Sequence, residues 1–275
     1  MHSPLKAEIV LIGNELLIGK IKDTNGAWLI ERLLEHGCFV IQITTIPDHL
    51  ETIAHTIRES IARKPRFILT SGGLGPTFDD MTLEGVALGL GVPLEQDQVA
   101  LEMIRQRYAE IKNLLSPHLL DKVMTHARVK MSHLPKGSKP LKNPEGAAPS
   151  VQYDVPGQHT TIFCLPGIPK ELMALYTAHI DPQVAQERVE FINETFFSKG
   201  VGESDIADFV NQLMRDIPGI WVKSHPKGRG TLMIEWQITS FGTDALKGCV
   251  GKAITALKAE ILCLGGKISN NEKFS

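Results

Sequence analysis

The sequence predicts an α/β fold, a three-layer, doubly wound and mostly parallel sheet, followed by a small α+β domain. Three observations predict it. Strand-length apolar runs alternate with helix-period segments through the first two-thirds of the chain. Three of those runs end in glycine loops, at Gly13, at Gly72-Gly73-Leu74-Gly75 and at Gly167. Beyond a polar stretch at 179–188, read as a linker, the order changes to strand-helix-strand-strand-helix. The expected division is 1–180 for the α/β domain and 185–275 for the small one.

Each element has its own justification. Residues 7–13 (AEIVLIG) are nearly all apolar, which suits a strand buried on both faces. Residues 25–36 read as a helix with Trp28, Leu29, Ile30, Leu33 and Leu34 on one broad face, ended by Gly37. A strand follows at 38–45. Asp48 and Glu51 have capping-box spacing ahead of a helix carrying Leu50, Ile53, Ala54, Ile57 and Ile61. The third strand is 67–71, and a short helix runs to Leu90 after its glycine loop. From 96 to 131 the pattern is helical with a break near Pro117. The Pro- and Gly-rich stretch 135–156 holds two short strand-like pieces and reads as a hairpin or arm over the site. Residues 160–165 form a strand ending in Pro166-Gly167-Ile168-Pro169, with a helix from Lys170. In the last third, strands are expected at 189–199, 219–224 and 231–240, and helices at 203–216 and 244–264. Leu232, Ile234, Trp236 and Ile238 alternate onto one face, and Leu246, Val250, Ala253, Ile254, Leu257 and Ile261 point inward.

Composition narrows the function classes. A net charge of −2 gives no broad basic field, so neither nucleic acid nor an anionic membrane is an expected partner. The apolar runs are strand-length and residues 1–8 lack a signal-peptide core, so a soluble cytoplasmic protein is expected. Cys38, Cys164, Cys249 and Cys263 lie far apart without zinc spacing and read as buried, reduced core thiols.

The chemistry concentrates in TSGGLGPTFDDMT, residues 70–82. Its glycines allow backbone N–H groups to wrap an anion, and Asp79 and Asp80 stand beside that cradle, suited to a metal ion or to proton transfer. The loop after the first strand offers Gly13, Asn14, Lys20, Lys22, Thr24 and Asn25 as a second anion site, with Glu15 near the chemistry; Asp23 or Thr24 could equally cap the next helix. Asp48 is either a helix cap or a group aimed at the same sheet edge, and Asp80 could cap the helix near Thr82 while serving the site. Residues 143–149 could close over a ligand through Glu145 and Gly146, or form a plain turn. Pro166 and Gly167 make a rigid strand-to-helix turn that could face a phosphate. Lys227-Gly228-Arg229-Gly230 reads as a hairpin turn. Since ligands bind beyond the carboxyl ends of such strands, the loops should converge. Ser71, Gly72, Gly73, Gly75, Pro76 and Thr77 then complete the candidate ligand-binding set.

These stretches carry a resemblance. IGNELLIGKIKDTN (12–25), TSGGLGPTFDDMT (70–82), NPEGAAP (143–149) and LPGIPKEL (165–172) resemble, in order and spacing, the CinA (competence/damage-inducible protein A) family, whose N-terminal module belongs to the MoaB/MogA-like molybdopterin-binding superfamily. The last third looks like the small KH-like domain that follows this module. The resemblance implies a pterin or adenine-nucleotide ligand, and in CinA-type members hydrolysis of ADP-ribose or a related dinucleotide pyrophosphate with a divalent metal (Mg²⁺ or Co²⁺) and potassium. It also implies a homo-oligomer, dimer or trimer. In the pterin-handling relatives two aspartates serve the chemistry, and they align with Asp48 and Asp80. Many members continue into a nicotinamide-nucleotide amidase domain, which is not expected here. The GTAPG-like segment of the family reads Gly146-Ala147-Ala148-Pro149-Ser150 in this chain. The expected function is a metal-dependent pyrophosphatase acting on ADP-ribose or a similar nucleotide diphosphate. Asp48, Asp80 and Glu15 would be catalytic, Asp79 and Asp80 would hold the metal, and the amides of 13–14 and 72–75 would hold phosphates. The alternatives are a molybdopterin-binding or adenylyl-transferring protein and a non-enzymatic nucleotide- or RNA-binding module.

Overall fold

The structure, a computed structural model, describes residues 5–112, 124–228, 232–242 and 244–274, with only the backbone for 244–246. The break near Pro117, Arg229 and Gly230 of the expected turn, and the side chain of Leu246 lie outside the described residues. The chain divides into two compact units, one from Leu5 to Glu187 and one beginning at Arg188.

In the first unit the order is β1 (Leu5–Ile12), α1 (Asn14–Leu17), α2 (Asn25–Glu35), β2 (Cys38–Ile46), α3 (Leu50–Ala62), β3 (Phe67–Ser71) and α4 (Thr82–Leu90). Then come β4 (Leu94–Gln96), α5 (Gln98–Lys112), α6 (His126–Lys130), β5 (His133–Pro135), β6 (Lys139–Leu141), β7 (Ser150–Asp154), β8 (Thr161–Leu165), α7 (Pro169–Leu175), a π turn (Tyr176–Ile180) and α8 (Asp181–Gln186). The main sheet runs β2-β1-β3-β8-β7-β6, parallel across its first four strands and antiparallel at β7 and β6.

Period-two side chains separate two cores. Ala7, Ile9 and Leu11 of β1 pack with Leu29 and Leu33 of α2 and Leu172 and Leu175 of α7. Val10 and Ile12 face the other way, onto Ile53 and Ile57 of α3 and Val86 of α4. This makes the three layers and explains why β1 is apolar from Ile9 to Ile12. Its one buried charge, Glu8, takes a two-point guanidinium pair from Arg63 at 2.7 and 2.8 Å, the arrangement a buried carboxylate requires.

Three expectations need correction here. Of the two readings of 135–156, the hairpin holds and the free arm does not: β6 and β7 pair antiparallel and extend the main sheet because Val151 and Tyr153 alternate into its core beside β8. The polar stretch 179–188 is no linker but continues as helix, since Tyr176, Ile180 and Val184 recur four apart and bury under the sheet. Cys38 and Cys164 are buried, with burial pushing each thiol up to about 12, whereas Cys249 is half-buried and Cys263 exposed.

The second unit contains β9 (Phe191–Lys199), α9 (Glu203–Asp216), β10 (Ile220–Pro226), β11 (Met233–Phe241), α10 (Asp244–Cys263) and β12 (Lys267–Ser269), in an antiparallel sheet of order β10-β11-β9-β12. One face carries Val222, Ile234, Trp236, Ile238 and Phe196 against Ile206 and Leu213 of α9 and Val250, Ala253, Leu257 and Ile261 of α10. Trp236 Nε1 donates to Ser198 Oγ at 2.8 Å inside this core, as a buried indole N–H requires. Leu232 does not join that face. Its φ of 44° turns the chain before β11 begins, and the side chain stays exposed. Among the described residues, no helix is long and apolar enough to cross a membrane.

Candidate ligand-binding cleft

Parallel strands β1, β3 and β8 end on the same edge of the sheet, so the loops that leave them start side by side. Asn25, the first residue of α2, ties the three together. Its Nδ2 donates to Ser71 Oγ at 2.9 Å and to the Gly167 carbonyl at 2.8 Å, and Ser71 Oγ donates to the Pro166 carbonyl at 3.3 Å. The Asn25 side chain is buried. Both amide protons are committed, so neither neighbouring loop can swing away without stranding a buried polar group.

The loop after β3 lies close against β1. Gly72 has φ 113°, and a Cβ there would overlap the Ile12 carbonyl oxygen. Thr82 Oγ1 donates to the Gly72 carbonyl at 2.8 Å and closes the loop from behind. Further along, residues 77–80 form an acid turn. Asp80 Oδ2 accepts the Thr77 N–H at 2.8 Å. The Thr77 hydroxyl lies 2.5 Å from Asp79 Oδ1 and also against Asp80 Oδ2. With one proton to give, it serves one carboxylate at a time. Lys130, the last residue of α6, donates its ammonium to the carbonyls of Thr77 and Asp80, the latter at 2.7 Å.

Asp48 stands across the cleft, where its Oδ2 accepts the Asn14 N–H at 2.8 Å. Partial burial pushes its carboxyl above the ordinary aspartate range, and the charges of Glu15 and Asp79 push the same way. Asp79 is held below that range by the Thr77 hydroxyl, then by its own backbone N–H and the Lys130 ammonium. The capping expectations change accordingly. α3 is entered through His49 and α4 through Met81, neither with a side-chain cap, so Asp48 and Asp80 do not cap helices. Asp23 does hold an α2 first-turn amide, accepting the Gly26 N–H at 2.9 Å.

The cleft between these walls has a volume of about 550 Å³. Of the expected site residues, Glu15, Thr24, Asn25, Asp48, Ser71, Gly72, Gly73, Gly75, Pro76, Asp79, Asp80, Pro166 and Gly167 line it. Gly13, Asn14, Lys20, Thr77, Glu145 and Gly146 do not, each for a visible reason. The Gly13 N–H is spent on the Ile46 carbonyl at 3.1 Å and the Asn14 N–H on Asp48. Lys20 points to solvent. Thr77 is turned to its own carboxylates, and Glu145 pairs with Lys170 at 2.7 Å. Gly146 lies behind the wall, where a Cβ would overlap the Glu171 carboxylate. The Gly72 N–H is also committed, to the Leu165 carbonyl at 3.0 Å. The expected phosphate cradle of 13–14 and 72–75 therefore narrows to residues 73–75.

Sequence reasoning missed four contributors. Glu171, from the first turn of α7, lines the cleft and accepts Asn143 Nδ2 at 2.7 Å, while Asn143 Oδ1 takes the N–H groups of Glu145 and Gly146 at 3.0 and 2.8 Å. Tyr108 and Met131 arrive from α5 and the residue after α6. Asp23 lines the cleft too. Only Asp23 carried a local signal, its place three residues before Gly26. Among the described residues the lining thus carries six carboxylates (Glu15, Asp23, Asp48, Asp79, Asp80 and Glu171) against a single basic side chain, Lys22. Even so, no three His, Cys, Asp or Glu side chains among the described residues converge as a metal centre. Between Asp79 and Asp80 the Thr77 hydroxyl lies against both carboxylates.

Comparison with known proteins gives a consistent picture. Residues 8–186 match the family model described as a probable molybdopterin binding domain. A protein of Metallosphaera sedula is 37% identical over 267 residues, covering 95% of this chain and 96% of its own length. A protein of Pyrococcus horikoshii is 38% identical over 226 residues, covering 82% and 85%. The solved structure of the protein CinA from Thermoplasma acidophilum, described as of unknown function, is 35% identical with a TM-score of 0.57, covering 65% of this chain and 98% of that one.

Proposed function

The chain belongs to the molybdopterin-binding domain family, as a CinA-like member, and from that premise we propose that its cleft binds a molybdopterin-type ligand and acts at the ligand's phosphate end. The carrying observation is the acidic lining, among the described residues six carboxylates against Lys22. A bare diphosphate entering such a cleft meets like charge on all sides, and the amides of Gly13, Asn14 and Gly72 are already spent. A pterin ring suits it better, because its amino group and ring N–H are donors that carboxylates accept. The volume of 550 Å³ fits a small molecule of that size. The phosphate would lie toward residues 73–75 with a cation brought in as its counter-ion.

Asp48 supports chemistry beyond binding. A carboxyl raised by its surroundings is suited to take a proton from an attacking oxygen near neutral pH. That same feature favours a second reading, hydrolysis of ADP-ribose or a related nucleotide diphosphate, in which the oxygen is water's. The two separate cleanly by experiment. Purified protein is titrated with a pterin and followed by pterin fluorescence, then incubated with ADP-ribose, FAD and NAD in Mg²⁺, Co²⁺ and K⁺ while AMP is measured. Saturable pterin binding lost in Glu171→Gln supports the first reading. AMP release without pterin binding replaces it with the second.

A further inference from the structure

The loop 143–149 walls the main cleft on one side, through Ala147 and Ala148. Its other side, through Asn143, Pro144, Gly146, Ala147 and Pro149, walls a separate cavity of about 370 Å³. The two cavities differ in charge. Where the cleft has six carboxylates, the described residues of this one offer Arg107 from α5, Lys142 just after β6 and His179 from the π turn, with Glu110 as the one acid. Met103 and Ala178 add apolar surface.

We propose that this cavity binds a small organic phosphate, separate from the ligand of the main cleft, and that its occupancy is felt in the cleft through Asn143. Basic groups reach it from three elements. Arg107 Nη2 donates to the Glu145 carbonyl at 2.7 Å and Nη1 to Glu110 at 3.2 Å, which leaves further terminal N–H groups of this half-buried guanidinium for a ligand. Lys142 is exposed and has no carboxylate partner among the described residues. His179 Nε2 lies 2.8 Å from the Lys142 carbonyl, which can only accept, so Nε2 carries a proton and the ring is fixed beside the lysine. The π turn 176–180 keeps Tyr176 and Ile180 buried while it brings Ala178 and His179 to the cavity, and such turns recur at functional sites. An arginine fork beside a lysine point charge is what phosphate recognition uses. Met103 and Ala178 suit the apolar body that carries the phosphate, and the volume lies within the range of small-molecule sites. The route to the cleft is short. Arg107 holds the Glu145 carbonyl, Asn143 Oδ1 holds the N–H groups of Glu145 and Gly146, and Asn143 Nδ2 holds Glu171 of the cleft lining. A phosphate that draws Arg107 from the Glu145 carbonyl therefore loosens the turn that positions Glu171.

The test uses phenyl phosphate, titrated into the ¹⁵N-labelled full chain, with phenol as the uncharged control. The amide signals of Lys142, Ala178 and His179 should move and saturate with phenyl phosphate and stay still with phenol. The Glu171 amide should follow them, although Glu171 does not line this cavity. Lys142→Met, a change at an exposed side chain, should weaken binding about tenfold, the loss of one charge-assisted hydrogen bond. Arg107→Met should weaken it at least as much and remove the Glu171 response. No saturable shifts, shifts confined to Asn25 and Gly167 of the main cleft, equal shifts with phenol, or unchanged affinity in Lys142→Met would each overturn the proposal. A Glu171 signal that stays still while Lys142 and His179 respond would overturn the link to the cleft. Failure of a pterin to bind would count against the proposed function and leave this phosphate site standing.

Discussion

Asp48 and Asp79 line one cleft from opposite walls, and their surroundings drive them in opposite directions. The wall after β2 leaves Asp48 partly buried, facing Glu15 and Asp79, and the amides of Asn14 and of Asp48 itself only partly compensate, so its proton is held more tightly than usual. The acid turn after β3 gives Asp79 a hydroxyl, a backbone N–H and a nearby ammonium, so its proton is lost more readily. The same side chain is thus poised as a proton acceptor on one wall and as a fixed negative charge on the other. Separation of pKa values between neighbouring carboxylates is how a site assigns such roles.

The change expected to do most damage removes the residue that ties the loops after β3 and β8 together. Asn25→Leu deletes one buried and one part-buried hydrogen bond, leaving Ser71 Oγ with only its long bond to the Pro166 carbonyl. We expect a loss of about 2–4 kcal/mol in urea unfolding and a collapse of pterin binding. Wild-type-like stability would show that the loops are held by something other than Asn25.

Asp48→Asn acts on one wall only. Turnover should fall by about 100-fold or more, in the range for loss of a general base, with ligand affinity retained. Its stability signature has a definite sign. Because the folded carboxyl is raised, the native state binds more protons than the unfolded state between the ordinary aspartate range and the folded value. The wild type is therefore relatively favoured below that window and loses stability as pH rises through it. Asp48→Asn should lack this decline, so its melting temperature should match or exceed that of the wild type at neutral pH. A variant that instead melts lower at pH 7 would remove Asp48 from its assigned role.

Lys130→Met acts on the other wall. It deletes the ammonium that holds the carbonyls of Thr77 and Asp80. We expect ligand affinity to fall by about tenfold, the effect of roughly 1.4 kcal/mol, while the raised Asp48 carboxyl stays raised in an NMR titration. The mildest change is Thr77→Val, which takes only the hydroxyl from between Asp79 and Asp80. Asp79 should then titrate closer to an ordinary aspartate. Since its folded value is lowered, the matching stability is present above the ordinary range and lost as pH falls through the folded value, and Thr77→Val should lessen that acid-side loss. An unmoved Asp79 titration would mean that the Lys130 charge, not the hydroxyl, sets it.

What was legible and what was not follows from range. β1 and β8 could be read because burial on both faces writes a nearly continuous apolar run, and Gly72 because only glycine tolerates its φ against the end of β1. The region 135–156 reads as a hairpin or an arm and could not be narrowed further, because an edge hairpin and a free arm share the same Pro- and Gly-rich composition. The 179–188 stretch was misjudged because its charged residues hide Ile180 and Val184 at helical spacing. Asp48 was ambiguous because its spacing to Glu51 is that of a cap, whereas its partner is an amide 34 positions away.

The sequence by itself determined the alternation of strands and helices, the carboxyl edge on which glycine loops meet, and the presence there of aspartates, since these depend on short-range periodicity and on what glycine backbone permits. Only the tertiary structure decided which amides remain for a ligand, which carboxylates face one another, and which distant residues hold them. Ile46 and Leu165 take the Gly13 and Gly72 amides through neighbouring strands, Lys130 reaches the acid turn from 50 residues away, and Asn25 joins loops 142 positions apart. Hydrogen bonds and charge act through space, and no local pattern in a chain records which partners folding brings within about 3 Å.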